Sequence, residues 1–235
     1  MADYNFNDYP IESINEERLP VVLALDISGS MGYAERLEHL IKAVNRYLEE
    51  VRSDSTVAVL TDISIVTFNH EVKVYRDWCP AAAVEPVTFT ADGGTDLDGA
   101  LCKAIEMGRD RAHLTEDIGG HVKIPIVILI TDAEGMVSDE THALIKNRAD
   151  EQKTHIWFFG VPGYNKEMAL KVTNGLRCFE SSTTVEEGFT QFFEMMAELT
   201  KAISKSAPGT KVLLDENPLD REDNVLTVPD LNAWI

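Results

Sequence analysis

Five side chains in three separate stretches of the chain carry oxygen atoms from which a hard cation site could be built. The first stretch, residues 19–32, reads LPVVLALDISGSMG and sets Asp26, Ser28 and Ser30 at alternate positions after an apolar run. A carboxylate followed by two hydroxyls, all short oxygen donors, suits a divalent cation of the magnesium class. The second stretch is Asp92-Gly93-Gly94-Thr95-Asp96-Leu97-Asp98, where two glycines give backbone freedom just ahead of Thr95. The third is Asp132, which follows the apolar run IPIVILI and Thr131. Together Asp26, Ser28, Ser30, Thr95 and Asp132 offer five of the six positions of an octahedral Mg2+, some through water; the same donors would admit Mn2+ or Ca2+. Each residue taken singly has a plainer reading. Ser28 and Ser30 suit turn and N-cap duty, Thr95 with Asp98 fits a capping box, and Asp132 suits a turn. Their joint occurrence favours the metal.

Positioning five donors from three stretches requires a scaffold that brings three loops to one place. Val21–Leu25 reads as a strand buried on both faces, and polar residues follow where such a strand ends, at the end of a parallel sheet where ligands bind. Leu37, Leu40, Ile41, Val44 and Leu48 recur at three- and four-residue steps and predict an amphipathic helix over 34–52. After a polar break at 53–55, residues 57–68 predict a second strand, and Val72, Val74 and Tyr75 its hairpin partner at an antiparallel edge. A helix starts at Thr95; IPIVILI (124–130) is the central buried strand; a helix follows over 138–152 and a strand over 155–159. Residues 165–173 read as a short helix, 177–180 as a short edge strand, and 185–204 as a final helix with Phe189, Phe192, Phe193 and Met196 inward. This alternation predicts an α/β class: a doubly wound, mostly parallel six-stranded sheet with one antiparallel edge strand and helices on both faces. Residues 1–18 read as an N-terminal arm, 19–206 as the α/β domain and 207–235 as an acidic C-terminal tail.

Charge narrows the partners. The 235 residues include 40 acidic and 21 basic side chains, a formal net charge of −19, which repels nucleic-acid backbones and anionic membranes alike. Neither class is expected as a partner. Three widely spaced cysteines suggest no disulfide framework or zinc cluster; Cys102 and Cys178 read as buried thiols and Cys79, beside Pro80, as the exposed one. The six histidines show no ligand spacing. The first residues lack the basic start and apolar core of a secretory signal, and no apolar run reaches the roughly 20 residues of a membrane span, so the expected setting is cytoplasmic.

The residues DISGS, then GGTDL, then ITD, in that order and on that succession of strands, resemble the von Willebrand factor type A (vWA) domain with its metal-ion-dependent adhesion site. The resemblance covers Leu19 to Ser204, and within the family it is nearest the intracellular bacterial proteins of the tellurite-resistance, stress-response type. It implies that Ser28, Ser30 and Thr95 ligate the metal directly, that Asp26 and Asp132 coordinate directly or through water, and that the domain binds a protein partner presenting Asp or Glu and does not turn over a substrate. It also implies that the last helix can act as an output lever. One departure is that the family's TDG is here Thr131-Asp132-Ala133-Glu134-Gly135, with an added carboxylate beside the ligand.

The competing reading is an Mg2+-dependent phosphoryl-transfer hydrolase, which also begins with an Asp at the end of the first strand. Such enzymes carry a second Asp two residues on as the acid and base; here that position is Ser28. No GxxxxGK[S/T] phosphate loop and no G-x-S-x-G nucleophile elbow occurs. A third reading makes the acidic stretch Asp215–Asp223 itself the binding element.

Overall fold

Every residue from Arg18 to Asp26 is buried, because the strand they form, β1 (Glu17–Asp26), lies inside the sheet with helices over both of its faces. The computed structural model describes residues 17–132, 135–151, 153–173, 177–207 and 222–227. β1 pairs in parallel with β2 (Thr61–Phe68) on one side and β5 (Ile126–Thr131) on the other, so that Leu23 stands between Ile65 and Ile128. The order across the sheet is β3-β2-β1-β5-β6-β7-β8, with β3 (Val72–Pro80), β6 (His155–Gly160), β7 (Cys178–Ser181) and β8 (Leu226–Thr227) completing it. A two-residue strand, β4 (His121–Val122), pairs with the start of β1. The two outer strands, β3 and β8, are antiparallel to their neighbours and the rest are parallel.

Helices α1 (Arg36–Ser53), α2 (Ser55–Leu60) and α6 (Val185–Lys205) cover one face, and α3 (Leu97–Asp117), α4 (Asp139–Asp150) and α5 (Lys166–Val172) the other. The expected doubly wound α/β sandwich is present. It differs from the sequence reading in its edges: the sheet has eight strands, with β4 and β8 each two residues long. β8 falls in the stretch read as tail and makes the edge that 177–180 was expected to form. β2 begins only at Thr61, because Asp54 accepts from Thr56 N at 3.1 Å and Val57 N at 3.2 Å and so starts a helical turn where alternation predicted a strand. The first strand reaches back to Glu17, inside the stretch read as an arm. Cys79 is buried in β3, 3% exposed, while Cys102 is the half-buried thiol. Residues 1–16, Glu134 and most of the acidic tail lie outside the described residues.

α6 is fastened to its face by polar pairs as well as by its phenylalanines. Thr184 and Glu187 close a capping box at its start. Near its end the Tyr47 hydroxyl lies 3.1 Å from Thr200 Oγ1 and Thr61 Oγ1 lies 2.9 Å from Ser204 Oγ, all buried, while Lys205 pairs with Asp54.

At the N-terminal end of the strands sits an ion cluster that the sequence pattern did not reveal. The Asp62 carboxylate has no exposed surface. It accepts from Arg18 Nε at 2.9 Å and from Arg18 Nη2, and from Arg111 Nε and Nη2 at 3.0 and 2.8 Å, tying β2 to β1 and α3. The Arg111 guanidinium also lies over the Trp78 ring, 5.8 Å from its centroid. Two buried guanidiniums share one carboxylate, so removing that charge leaves both uncompensated. Asp62→Asn is expected to lower stability by about 3–5 kcal/mol, read as a shift of the urea unfolding midpoint.

His155, at the start of β6, adds a pH dependence. Burial first, and the charge of Arg177 second, push its imidazole from the ordinary 6.5 down to about 4. Its folded pKa therefore lies below its unfolded one, so its contribution is full above about 6.5 and is lost as pH falls from there toward 4. Urea melts between pH 7 and 4 should show wild type losing more stability over that window than His155→Gln.

Candidate metal centre

β1 delivers Asp26 to the carboxyl end of the sheet with no exposed surface. A carboxylate so enclosed needs donors on both oxygens. Ser28 N donates to Oδ1 at 2.8 Å, and the Thr131 hydroxyl, reaching across from β5, donates to Oδ2 at 2.6 Å. Burial pushes the Asp26 carboxyl up to about 6, the hydrogen bonds from Ser28 and Thr131 pull it back, and the charge of Asp132 raises it again. Asp132 therefore lies within electrostatic reach of Asp26; it is itself 2% exposed.

Ser28 stands at the N-cap position of a 3-10 turn (Gly29–Glu35), yet its side chain makes no capping bond; its Oγ lies 3.0 Å from Ser30 Oγ. The capping box expected from Thr95 and Asp98 does not form. Asp96 caps α3 by accepting from Gly99 N at 3.0 Å, and Asp98 instead accepts from Ser138 N at 2.8 Å and from Ser138 Oγ at 3.0 Å. Helix capping thus occupies none of the three hydroxyls. The carboxylates of Asp96 and Asp98 are thus engaged by Gly99 and Ser138.

Backbone bonds hold the three loops together. Gly29 N donates to Gly93 O at 2.9 Å, Asp92 N to Ile27 O at 3.0 Å, and Asp96 N to Asn69 O at 2.5 Å, which fastens the Thr95 loop to the ends of β1 and β2. Gly93 has φ +74, a conformation that favours glycine, and a Cβ there would displace the His70 ring, whose Nδ1 would stand 2.1 Å away. The third loop closes on the second through Gly135, whose missing Cβ would lie 2.8 Å from Leu97 Cβ and 3.4 Å from Thr95 O. The structure therefore brings Asp26, Ser28, Ser30, Thr95 and Asp132 to one end of β1 and β5. Asp26, Ser28 and Asp132 form the buried floor, and Ser30 and Thr95 are half-buried toward solvent.

This donor set fits a hard divalent cation: two carboxylates and three hydroxyls, two of the hydroxyls already side by side. Among the described residues no group of three or more His, Cys, Asp or Glu side chains converges, so a cation here would lean on the hydroxyls. In the loops that carry Ser30 and Asp132, Tyr33 is 71% and Met136 85% exposed. Ala34 and Glu35 after Tyr33 are left-handed, at φ 50 and 58, a strained turn of two non-glycine residues. Sequence reasoning missed Thr131, which orients Asp26; its signal was a threonine inside an otherwise apolar buried strand.

Residues 21–134 match the family model described as the von Willebrand factor type A domain. No curated protein matches the chain. Among solved structures, von Willebrand factor type A from Catenulispora acidiphila superposes with a TM-score of 0.61 at 16% identity, covering 80% of this chain and 43% of that one. The open conformation of the pilus adhesin SpaC from Lactobacillus rhamnosus GG gives a TM-score of 0.60 at 13% identity, covering 78% of this chain and 30% of that one. The conserved hypothetical protein BatB from Bacteroides thetaiotaomicron gives 0.53 at 17%, covering 80% of this chain and 100% of that one. The chain spans under half the length of the first two. At these identities the likeness is one of fold.

Thr131→Val keeps the shape of the side chain and removes its hydrogen bond to a buried carboxylate, worth about 2 kcal/mol. In chelator at neutral pH the variant is expected to unfold at correspondingly lower urea, and its Asp26 carboxyl to titrate above the wild-type value of about 6 when followed by carbon NMR.

Proposed function

We propose that this chain, a von Willebrand factor type A domain over residues 21–134, is a protein-interaction module that holds a divalent cation on Asp26, Ser28, Ser30, Thr95 and Asp132 and grips an Asp or Glu of a partner with it. The observation that carries this reading is the pair of serine hydroxyls 3.0 Å apart, occupied by no capping bond, above a buried carboxylate that two donors hold in place. When bound, the cation, Mg2+ foremost, supplies an open coordination position for an outside carboxylate.

The chain's own residues do the remaining work. Asp26 and Asp132 keep negative charge on the floor, while the neutral hydroxyls of Ser28, Ser30 and Thr95 leave positive charge uncompensated toward solvent. This gives a protein of net charge −19 a point that attracts an acidic side chain it would otherwise repel. Ser28, where a phosphoryl-transfer enzyme has its second carboxylate, supports holding a partner over cleaving a phosphoester. A cytoplasmic, stress-response setting of the tellurite-resistance type is the part of the proposal supported by composition and sequence resemblance alone.

Thr95→Ala is the cleanest test, because Asp26→Ala also strips the acceptor from Ser28 N and Thr131. Mg2+ is expected to raise the melting temperature of wild type and not of Thr95→Ala, and affinity capture from the native cell should lose its partner both in chelator and in the variant. Capture that persists in chelator overturns the metal reading. Phosphate release from a generic phosphoester in Mg2+, lost in Asp26→Asn, would establish the hydrolase instead.

A further inference from the structure

Asp98 stands in the first turn of α3, three residues after Thr95, and the start of that helix is already capped by Asp96. Its carboxylate is spent instead on the stretch that follows Asp132. Ser138 N donates to Asp98 Oδ1 at 2.8 Å, and Ser138 Oγ donates to Oδ1 at 3.0 Å and lies 3.2 Å from Oδ2. The same serine oxygen accepts from Thr141 N at 3.2 Å, the bond of an N-cap, at the start of α4. Thr141, 2% exposed, sets its Oγ1 3.1 Å from Cys102 Sγ on α3. The first turns of α3 and α4 are thus joined through Asp98, Ser138, Thr141 and Cys102. Desolvation raises the Asp98 carboxyl, but the bonds from Ser138 and Thr141 and the charge of His142 outweigh it and hold it below the ordinary value.

The segment that this joint fastens lies over Thr95. Gly135 is so close that a Cβ there would stand 3.4 Å from Thr95 O and 2.8 Å from Leu97 Cβ. Val137 is buried in the same apolar cluster as Leu97, and Ser138 is tied to Asp98. Residues 135–138 are therefore pinned along residues 95–98 at three positions, with Met136 between them 85% exposed. Thr95 is one of the proposed cation donors, and Asp132, three residues before Gly135, is another. An ion that demands near-ideal octahedral geometry is sensitive to how two such loops are spaced.

We propose that Asp98 is a positioning residue of the metal centre: by holding Ser138 it sets the spacing of the Thr95 and Asp132 loops, and with it the affinity for the cation. This rests on the cation reading given above. Asp98 acts through the hydrogen bonds it accepts and not through its charge on the ion.

The test measures Mg2+ affinity of the full chain by titration calorimetry, at a temperature where circular dichroism shows each variant folded. Asp98→Ala removes both acceptor oxygens and is expected to weaken binding by about tenfold or more. Asp98→Asn keeps an acceptor for Ser138 N while losing the charge, and is expected to stay within about twofold of wild type. In chelator, with no cation present, the Ser138 amide should exchange faster in Asp98→Ala and near the wild-type rate in Asp98→Asn. Should Asp98→Ala not fold, Ser138→Ala removes the hydroxyl bonds alone and should give a smaller loss of affinity in the same direction; wild-type affinity there overturns the proposal. Equal loss in Asp98→Asn and Asp98→Ala assigns the effect to charge and also overturns it. A wild type that binds no Mg2+ overturns the cation reading and this inference together, whereas binding lost in Thr95→Ala but retained in folded Asp98→Ala overturns this inference alone.

Discussion

The structure depends on keeping a carboxylate in a place where water cannot reach it. Asp26 ends a strand buried from Arg18 onward, and the loop after β1, the threonine of β5 and the docking of the Thr95 loop all serve its position. Burial of that charge is unfavourable by itself. The fold tolerates it because Ser28 N and Thr131 supply donors from two different segments, and those donors also set the direction in which its remaining lone pairs point. The proposed cation would relieve the same burial that pushes Asp26 upward in pKa.

β1 is polarised from end to end. Its first buried side chain is a guanidinium, Arg18, and its last a carboxylate, Asp26, with only apolar residues between them. At the first end two arginines share Asp62, leaving an excess of positive charge; at the second Asp26 and Asp132 leave an excess of negative. Buried charge of opposite sign at opposite ends fixes the strand's position along its own axis, since sliding by even one residue would bring each group against apolar neighbours.

Much of this was legible in the chain. The apolar runs of β1 and β5 and the three- and four-residue periodicity of α1 and α6 named the layers, and the alternation of strand and helix named the winding. Of the proposed donors, Asp26, Ser28, Ser30 and Asp132 stand out in the chain because they follow buried parallel strands, and Thr95 because two glycines precede it. What stayed hidden depends on partners distant in sequence. Arg18, Asp62 and Arg111 look like three surface charges until the sheet brings them together, and Thr131 looks like a strand residue until Asp26 lies opposite. Val57–Leu60 alternates like a strand, but a single aspartate cap at Asp54 outweighed the pattern.

The two hydroxyl pairs under α6 give that helix a register, in the sense that a strand has one. Thr200 and Ser204 are four residues apart and so lie one above the other on the same stripe, facing Tyr47 and Thr61. A shift of α6 by one full turn, about 5.4 Å, toward its own N-terminus would carry Ser204 to the tyrosine and restore one pair, whereas any smaller shift would leave four buried hydroxyls without partners. Like a shaft cut with detents, the helix has preferred stations one turn apart, and intermediate positions are penalised.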